Sequence, residues 1–218
     1  TKDGEFIKTT EHLLAALFAS SINNCEIEIN GAEIPIMDGS SKPFSDAILK
    51  AGIVQQSESQ EVFVAQEVIQ FNDNETGSEI LIIPSDDISF SVLIDFETKV
   101  LGTQNAILKT IKDFHKEIAP ARTFSFLHEL EDLLDNGLIK GGDLNNAIIY
   151  VNKPLAKANM DRLKKAFNKE DIAVKKNGIL NNHTLNHSNE AARHKVLDVI
   201  GDLALVGIPI KGKIIANK

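Results

Sequence analysis

His194 and Asp198 stand four residues apart in the run Arg193-His194-Lys195-Val196-Leu197-Asp198-Val199-Ile200-Gly201-Asp202-Leu203. On a helix that spacing lets an imidazole and a carboxylate reach one metal ion. It also suits a plain hydrogen bond between neighbours on one helix. The surroundings bear on the choice. Advancing about 100° per residue groups His194, Lys195, Asp198 and Asp202 in one arc, while Val196, Leu197, Val199, Ile200, Leu203 and Ala204 cover most of the rest. A helix that apolar is buried, so its polar strip should line a cleft or meet an ion. Carboxylates and a lysine are costly to sequester without a cation or a substrate.

A metal site needs a third protein ligand, and the other histidines are the candidates. His115 lies among Lys112, Asp113, Lys116 and Glu117, His128 falls on the charged side of its helix, and His183 and His187 sit in an Asn-rich loop. His12 differs. Glu11 precedes it at a helix start, and Leu13, Leu14, Leu17 and Phe18 follow as a stripe that docks the helix. An acidic residue in that place also suits any helix N-terminus through the dipole alone. Two histidines and a carboxylate fit zinc and fit Fe(II) as well.

These residues need elements to hold them. Thr10 is placed to cap a helix that begins at Glu11 and stops near Ser20-Ser21. Alternation from Cys25 to Ile29 predicts a strand with the Cys25 thiol buried, Met37-Asp38-Gly39-Ser40 a turn, and residues 44–53 a short helix. The polar run Gln55-Gln56-Ser57-Glu58-Ser59-Gln60 reads as a linker between a first α+β domain at 1–57 and a second at 60–218. In the second, residues 62–71, 78–84 and 88–96 are expected as strands of an antiparallel sheet. A helical period runs over 124–134 and ends at Asn136-Gly137. Residues 147–151 read as a buried strand, 160–167 as a helix with Arg162, Lys164 and Lys165 outward, and 189–206 as the long helix. Strands in runs and helices in runs argue for α+β layers.

Composition narrows the function classes. Lys and Arg number 23 against 31 Asp and Glu, a net charge of -8, with no basic block to track phosphates, so nucleic acid is not an expected partner. No apolar run approaches the roughly 18 residues of a membrane span. The single cysteine excludes an intrachain disulfide and is compatible with a reducing cytoplasm.

Four segments carry a resemblance: Thr10-Glu11-His12-Leu13-Leu14-Ala15-Ala16-Leu17, then Glu33-Ile34-Pro35-Ile36-Met37-Asp38-Gly39-Ser40, then Ala121-Arg122-Thr123-Phe124-Ser125-Phe126, and finally residues 193–203. In order and over nearly the whole chain, they resemble the signature segments of the UDP-3-O-acyl-N-acetylglucosamine deacetylases of lipid A synthesis. The resemblance implies two α+β domains, each of mainly antiparallel sheet on helices, with the active site between them. It implies a catalytic Zn2+ held by His12, His194 and Asp198, and Glu11 as general base. Thr123 would stabilise the oxyanion, Lys195 would place a cation near the substrate, and Asp202 would orient and charge a catalytic histidine. The substrate would be an acylated UDP-N-acetylglucosamine, its acyl chain entering a passage lined by Phe124, Leu130, Ile139, Gly142 and Ile149. Gly141-Gly142 also needs no more than a tight connection. Cytoplasmic placement, with room for loose association at the inner membrane, follows from the same resemblance.

Departures from the pattern set further expectations. The family's histidine that pairs with the Asp202 position lies beyond Lys218, and its first strands lie before Thr1, so the chain reads as truncated at both ends. Residues 151–176 lengthen a connection, as in the subgroup fused to a 3-hydroxyacyl-carrier-protein dehydratase. Asn186-His187 replaces an Arg-Phe pair. The rival to an enzyme is a non-catalytic fragment that binds metal or acyl-UDP-sugar; a third reading keeps the hydrolase and changes the N-acetyl sugar.

Overall fold

The computed structural model describes residues 4–129, 146–153, 157–167, 170–180 and 184–218. In chain order its main elements are α1 (Glu11–Ala19), α2 (Lys42–Ala51), β1 (Phe63–Val64), β2 (Ile69–Asp73), β3 (Ser78–Ile83), β4 (Ser89–Ile94), β5 (Gln104–Leu108), α3 (Phe114–Glu117), β6 (Phe124–Phe126), β7 (Ile148–Tyr150), α4 (Lys157–Phe167), α5 (Glu190–Ala204), β8 (Ile210–Lys211) and β9 (Lys213–Asn217). The architecture is mixed helix and sheet. Five strands form one sheet in the order β2-β3-β9-β4-β5, and β1 with β8 and β6 with β7 make two smaller pairs.

Period-two alternation sets the inner face of the large sheet. Phe90, Val92 and Ile94 of β4 are buried, and the register places Leu108 and Ile214 beside Phe90, and Ala106 and Ala216 beside Val92. Val196, Leu197 and Ile200 of α5 join the same core, and Ala15 of α1 reaches it from the helix that packs on α5. Each such buried aliphatic or aromatic side chain contributes about 1.5–3 kcal/mol. The small residues Ala15, Ala16, Ala191 and Ala192, all without exposed surface, let the helices approach closely. A second cluster of Leu127, Ile149, Leu163, Ile172 and Leu180 lies under β7 and α4.

Several expectations are corrected. Residues 25–29 form no strand; they are irregular and mostly exposed, and Cys25 is exposed rather than buried, because no strand among the described residues pairs with them. The only pairing described in the first 57 residues is the isolated bridge Lys8↔Glu33. Residues 62–71 divide into two strands, since β1 pairs in parallel with β8 while β2 pairs antiparallel with β3. The large sheet is not purely antiparallel: β9 enters between β3 and β4 and runs parallel to β4. Phe124-Ser125-Phe126 is a strand, parallel to β7, where a helix was expected. The helical turn begins after it, with Glu129 Oε2 accepting from Ser125 Oγ at 2.9 Å and from Phe126 N at 2.9 Å. Strand β5 was not anticipated at all. Thr10 makes no side-chain cap to α1.

The other expected elements stand with shifted ends: α2, β3, β4, β7, α4 and α5 all fall within the predicted segments or within three residues of them. Leu130, Ile139 and Gly142 lie outside the described residues, as do His183 and the expected helix end at Asn136-Gly137.

Candidate metal centre

Helices α1 and α5 bring His12 and His194 together although 181 residues separate them. Both imidazoles are 2% exposed, their rings meeting edge to face with centroids 5.0 Å apart. Asp198, one turn beyond His194, places Oδ1 3.2 Å from His194 Nε2. Among the described residues these three form a group able to hold a metal ion, with one donor atom from each lying within 4.8 Å of the others.

The local structure orients each donor. His194 Nδ1 lies 3.0 Å from the Ala121 carbonyl oxygen, a group that can only accept, so Nδ1 carries a proton and Nε2 is the nitrogen turned toward Asp198. His12 Nδ1 is buried and has no hydrogen-bond partner among the described residues. A buried imidazole with an unpartnered nitrogen, meeting a second imidazole and a carboxylate with one donor of each within 4.8 Å, fits a divalent metal. Lys195 Nζ holds the other Asp198 oxygen at 2.9 Å and stands 5.6 Å above the Phe124 ring.

Electrostatics keep the donors in the forms a metal requires. Burial, followed by the neighbouring His194, lowers the His12 imidazole to about 4, so it is neutral at pH 7. Burial by itself would push the Asp198 carboxyl up, but His194 and Lys195 together outweigh it and hold the group well below the usual carboxylate range. Asp202 responds in the opposite sense. One side of it is open to solvent, yet desolvation of the other, then the charges of Asp198 and Glu11, push its carboxyl up. Glu11 keeps a partly open carboxylate, Oε1 lying 4.0 Å from His12 Nε2.

A second layer of contacts fixes this geometry. Ser41 Oγ donates to the His12 carbonyl oxygen at 2.6 Å, tying α1 to the loop that carries Asp38, Gly39 and Ser40. Within that loop Asp38 Oδ1 accepts from Ser40 N and Ser40 Oγ. Gly39, at φ +83°, sits where a Cβ would fall 1.8 Å from the Asn146 carbonyl oxygen, so no side chain fits there. Thr123 N donates to the Gly39 carbonyl at 2.7 Å, which ties the third signature segment to the second.

The structure therefore gathers His12, His194 and Asp198, with Glu11, Lys195 and Asp202 around them and Thr123 on the adjoining segment. Phe124 belongs to an aromatic group with Phe96, Phe126 and Tyr150, and Ile149 is packed in the second core cluster. The remaining described histidines are engaged elsewhere: His115 with Ser45 and Asp46, His128 stacked on Phe126, and His187 half-buried near the charges of Arg193, Glu190 and Glu117. One residue was missed. Glu190 is a fully buried carboxylate paired with Arg122, and its signal was present: 190, 194, 198 and 202 continue one strip at steps of four.

The family model for UDP-3-O-acyl N-acetylglycosamine deacetylase (LpxC) matches residues 2–169 and 157–218. The chain belongs to this deacetylase family. Among curated relatives, the bifunctional enzyme LpxC/FabZ of Chlorobaculum tepidum is 43% identical over 215 residues, covering 97% of this chain and 46% of its own length. The bifunctional enzyme LpxC/FabZ of Porphyromonas gingivalis is also 43% identical, over 217 residues, covering 99% of this chain and 47% of its own. The UDP-3-O-acyl-N-acetylglucosamine deacetylase of Syntrophotalea carbinolica is 36% identical over all 218 residues and 62% of its length. The chain thus spans about half of the bifunctional relatives. The two family matches overlap at 157–169, on α4. Among the described residues, no helix is long and apolar enough to cross a membrane.

Proposed function

We propose that this chain carries the metal centre of a deacetylase that hydrolyses the N-acetyl amide of UDP-3-O-(3-hydroxyacyl)-N-acetylglucosamine, giving the free amine and acetate in lipid A biosynthesis. The observation that carries the reading is the buried His12–His194–Asp198 group, with its orphaned His12 nitrogen, in a chain of this family. A zinc ion held by those three residues would supply Lewis acidity toward an amide carbonyl and toward water.

The chain's own groups then have distinct tasks. Glu11, a partly exposed carboxylate 4.0 Å from His12, accepts a proton from the attacking water. Lys195 neutralises the outer oxygen of Asp198 and places a cation at the edge of the site for an anionic substrate. Thr123 offers a hydroxyl to the oxyanion that exists only after attack. Asp202, with its carboxyl pushed up by desolvation and by Asp198 and Glu11, is the carboxylate that would orient and charge the family's catalytic histidine on the leaving amine's side of the reaction. Phe124 and Ile149, with Leu130, Ile139 and Gly142, are the proposed lining of the acyl passage.

The two most similar relatives quoted above are fusions, and we infer that the full-length protein carries a FabZ-type dehydratase half. The test is deacetylation of the acylated UDP-sugar by the full-length protein, before and after removal of metal by a chelator. Activity that survives metal removal, or that ignores the acyl chain, would overturn the assignment.

A further inference from the structure

We propose that Glu190 is a positioning residue for His194, acting through the single peptide unit that joins Ala121 to Arg122. The proposal rests on the metal-centre reading for its purpose, but its geometry stands apart from any metal. His194 Nδ1 donates to the carbonyl oxygen of that peptide at 3.0 Å. Glu190 Oε1 accepts from the N–H of the same peptide, Arg122 N, at 3.1 Å. Both partners come from α5, one turn apart, and grip opposite ends of one planar group.

A trans peptide is rigid, with its C=O and N–H pointing in opposite directions, so fixing the N–H fixes the direction of the C=O. A carboxylate on the N–H side also polarises the unit, strengthening the carbonyl as an acceptor for Nδ1–H. Histidine ligands of metals commonly donate their second N–H to a carboxylate or carbonyl that sets tautomer and ring orientation. Here a carboxylate does so at one remove, with a backbone peptide as the spacer.

Glu190 is built into this place rather than resting there. Its side chain has no exposed surface, and its two oxygens take four donors: Arg122 N, Arg122 Nε at 2.8 Å, Arg122 Nη2 at 3.2 Å and Asn186 N at 2.6 Å. Arg122 Nη2 also donates to the Thr184 carbonyl at 2.7 Å, and Asn186 Nδ2 to the Pro120 carbonyl at 2.9 Å. The segment preceding α5 and the segment carrying Ala121 are thus closed around one carboxylate, and the charge is directed at the peptide that meets the ligand.

The test uses the 218-residue chain with zinc alone as probe. Glu190→Gln removes the charge at nearly constant shape. Expected are zinc binding about 10- to 100-fold weaker in competition with a chelator, and, in the metal-free protein, a His194 Nδ1–H that exchanges faster with solvent by nitrogen-resolved NMR as its bond to the Ala121 carbonyl loosens. Glu117→Gln is the control, because it breaks the other ion pair tethering α5, Arg193 Nη1 to Glu117 Oε2 at 2.8 Å, without touching the peptide; both readouts should stay as in the parent. A folded Glu190→Gln chain with parental zinc affinity and parental His194 Nδ1–H exchange overturns the proposal, as do equal losses in Glu117→Gln. Should Glu190→Gln not fold, the parent decides: zinc addition should shift the Ala121 carbonyl and Arg122 amide resonances together, and an unmoved Arg122 amide overturns it. If the parent binds no zinc, the metal-centre reading fails, while the His194 Nδ1–H exchange measured in metal-free protein still judges the relay.

Discussion

A Cβ on Gly201 would lie 2.3 Å from the carbonyl oxygen of Glu11 and 2.8 Å from its carbonyl carbon and Cα. The backbone of α1 therefore passes over α5 at the residue that bears the proposed general base and next to ligand His12. No side chain can stand at 201 unless α1 lifts away.

From this, Gly201→Ala should destabilise the chain by about 1–3 kcal/mol, the usual cost of overpacking a core. It should also weaken zinc binding at least tenfold, since His12 is carried off with α1 while His194 and Asp198 stay. Thermal unfolding and chelator competition on one sample check both; parental zinc affinity would show that α1 is not positioned by this contact.

Removing donors should separate holding metal from using it. His194→Ala or Asp198→Ala should abolish stoichiometric zinc, because each supplies one of three protein ligands. Glu11→Gln should keep its zinc and, in the full-length protein, lose about 100- to 10,000-fold in turnover. Metal analysis decides between the roles: loss of zinc in Glu11→Gln would make Glu11 a ligand.

Acid should destabilise the metal-free chain through His12. Burial and His194 hold its folded value at about 4, whereas an unfolded histidine titrates near 6.5. Between those values the unfolded chain binds a proton that the folded chain does not, so this stability is intact above about 6.5 and is lost as the pH falls to about 4. The loss is on the order of 3 kcal/mol. Urea unfolding at about pH 7 and about pH 4.5 should show it in the parent and not in His12→Asn.

Breaking the buried pair from its basic side should be costly. Arg122→Ala leaves Glu190, which has no exposed surface, with its two backbone donors and no counter-charge, a loss of about 3–5 kcal/mol for a buried ion pair. A midpoint of urea unfolding unchanged from the parent would show that solvent reaches Glu190 in place of the guanidinium.

The strip at 194, 198 and 202 was legible because helical geometry converts spacing into adjacency with no knowledge of the rest of the fold. His12 was legible through its Glu11 neighbour and apolar stripe, but its meeting with His194 depends on a helix crossing between sequence-distant segments. Glu190 was overlooked because an acidic residue at a helix start is ordinarily explained by the dipole, and only the arrival of Arg122 from another segment gives it a second role. Residues 25–29 alternate like a strand yet have none beside them among the described residues, so propensity found no partner there to pair with. At 124–126 the Phe-Ser-Phe alternation was the better guide than the helical period, and the neighbouring β7 settles it. Strand β5, half polar in Gln104-Asn105, declares itself only through its register with β4.

The position of β9 bears on how such a chain is made. It separates β3 from β4, yet it follows β4 by more than a hundred residues. During vectorial synthesis the β2–β3 and β4–β5 hairpins emerge early and must wait with their inner edges unpaired, because the strand that joins them has not yet been translated. Open edges of this kind recruit stray strands. Cooperative closure of the sheet is therefore deferred until residues 213–217 have cleared the exit tunnel.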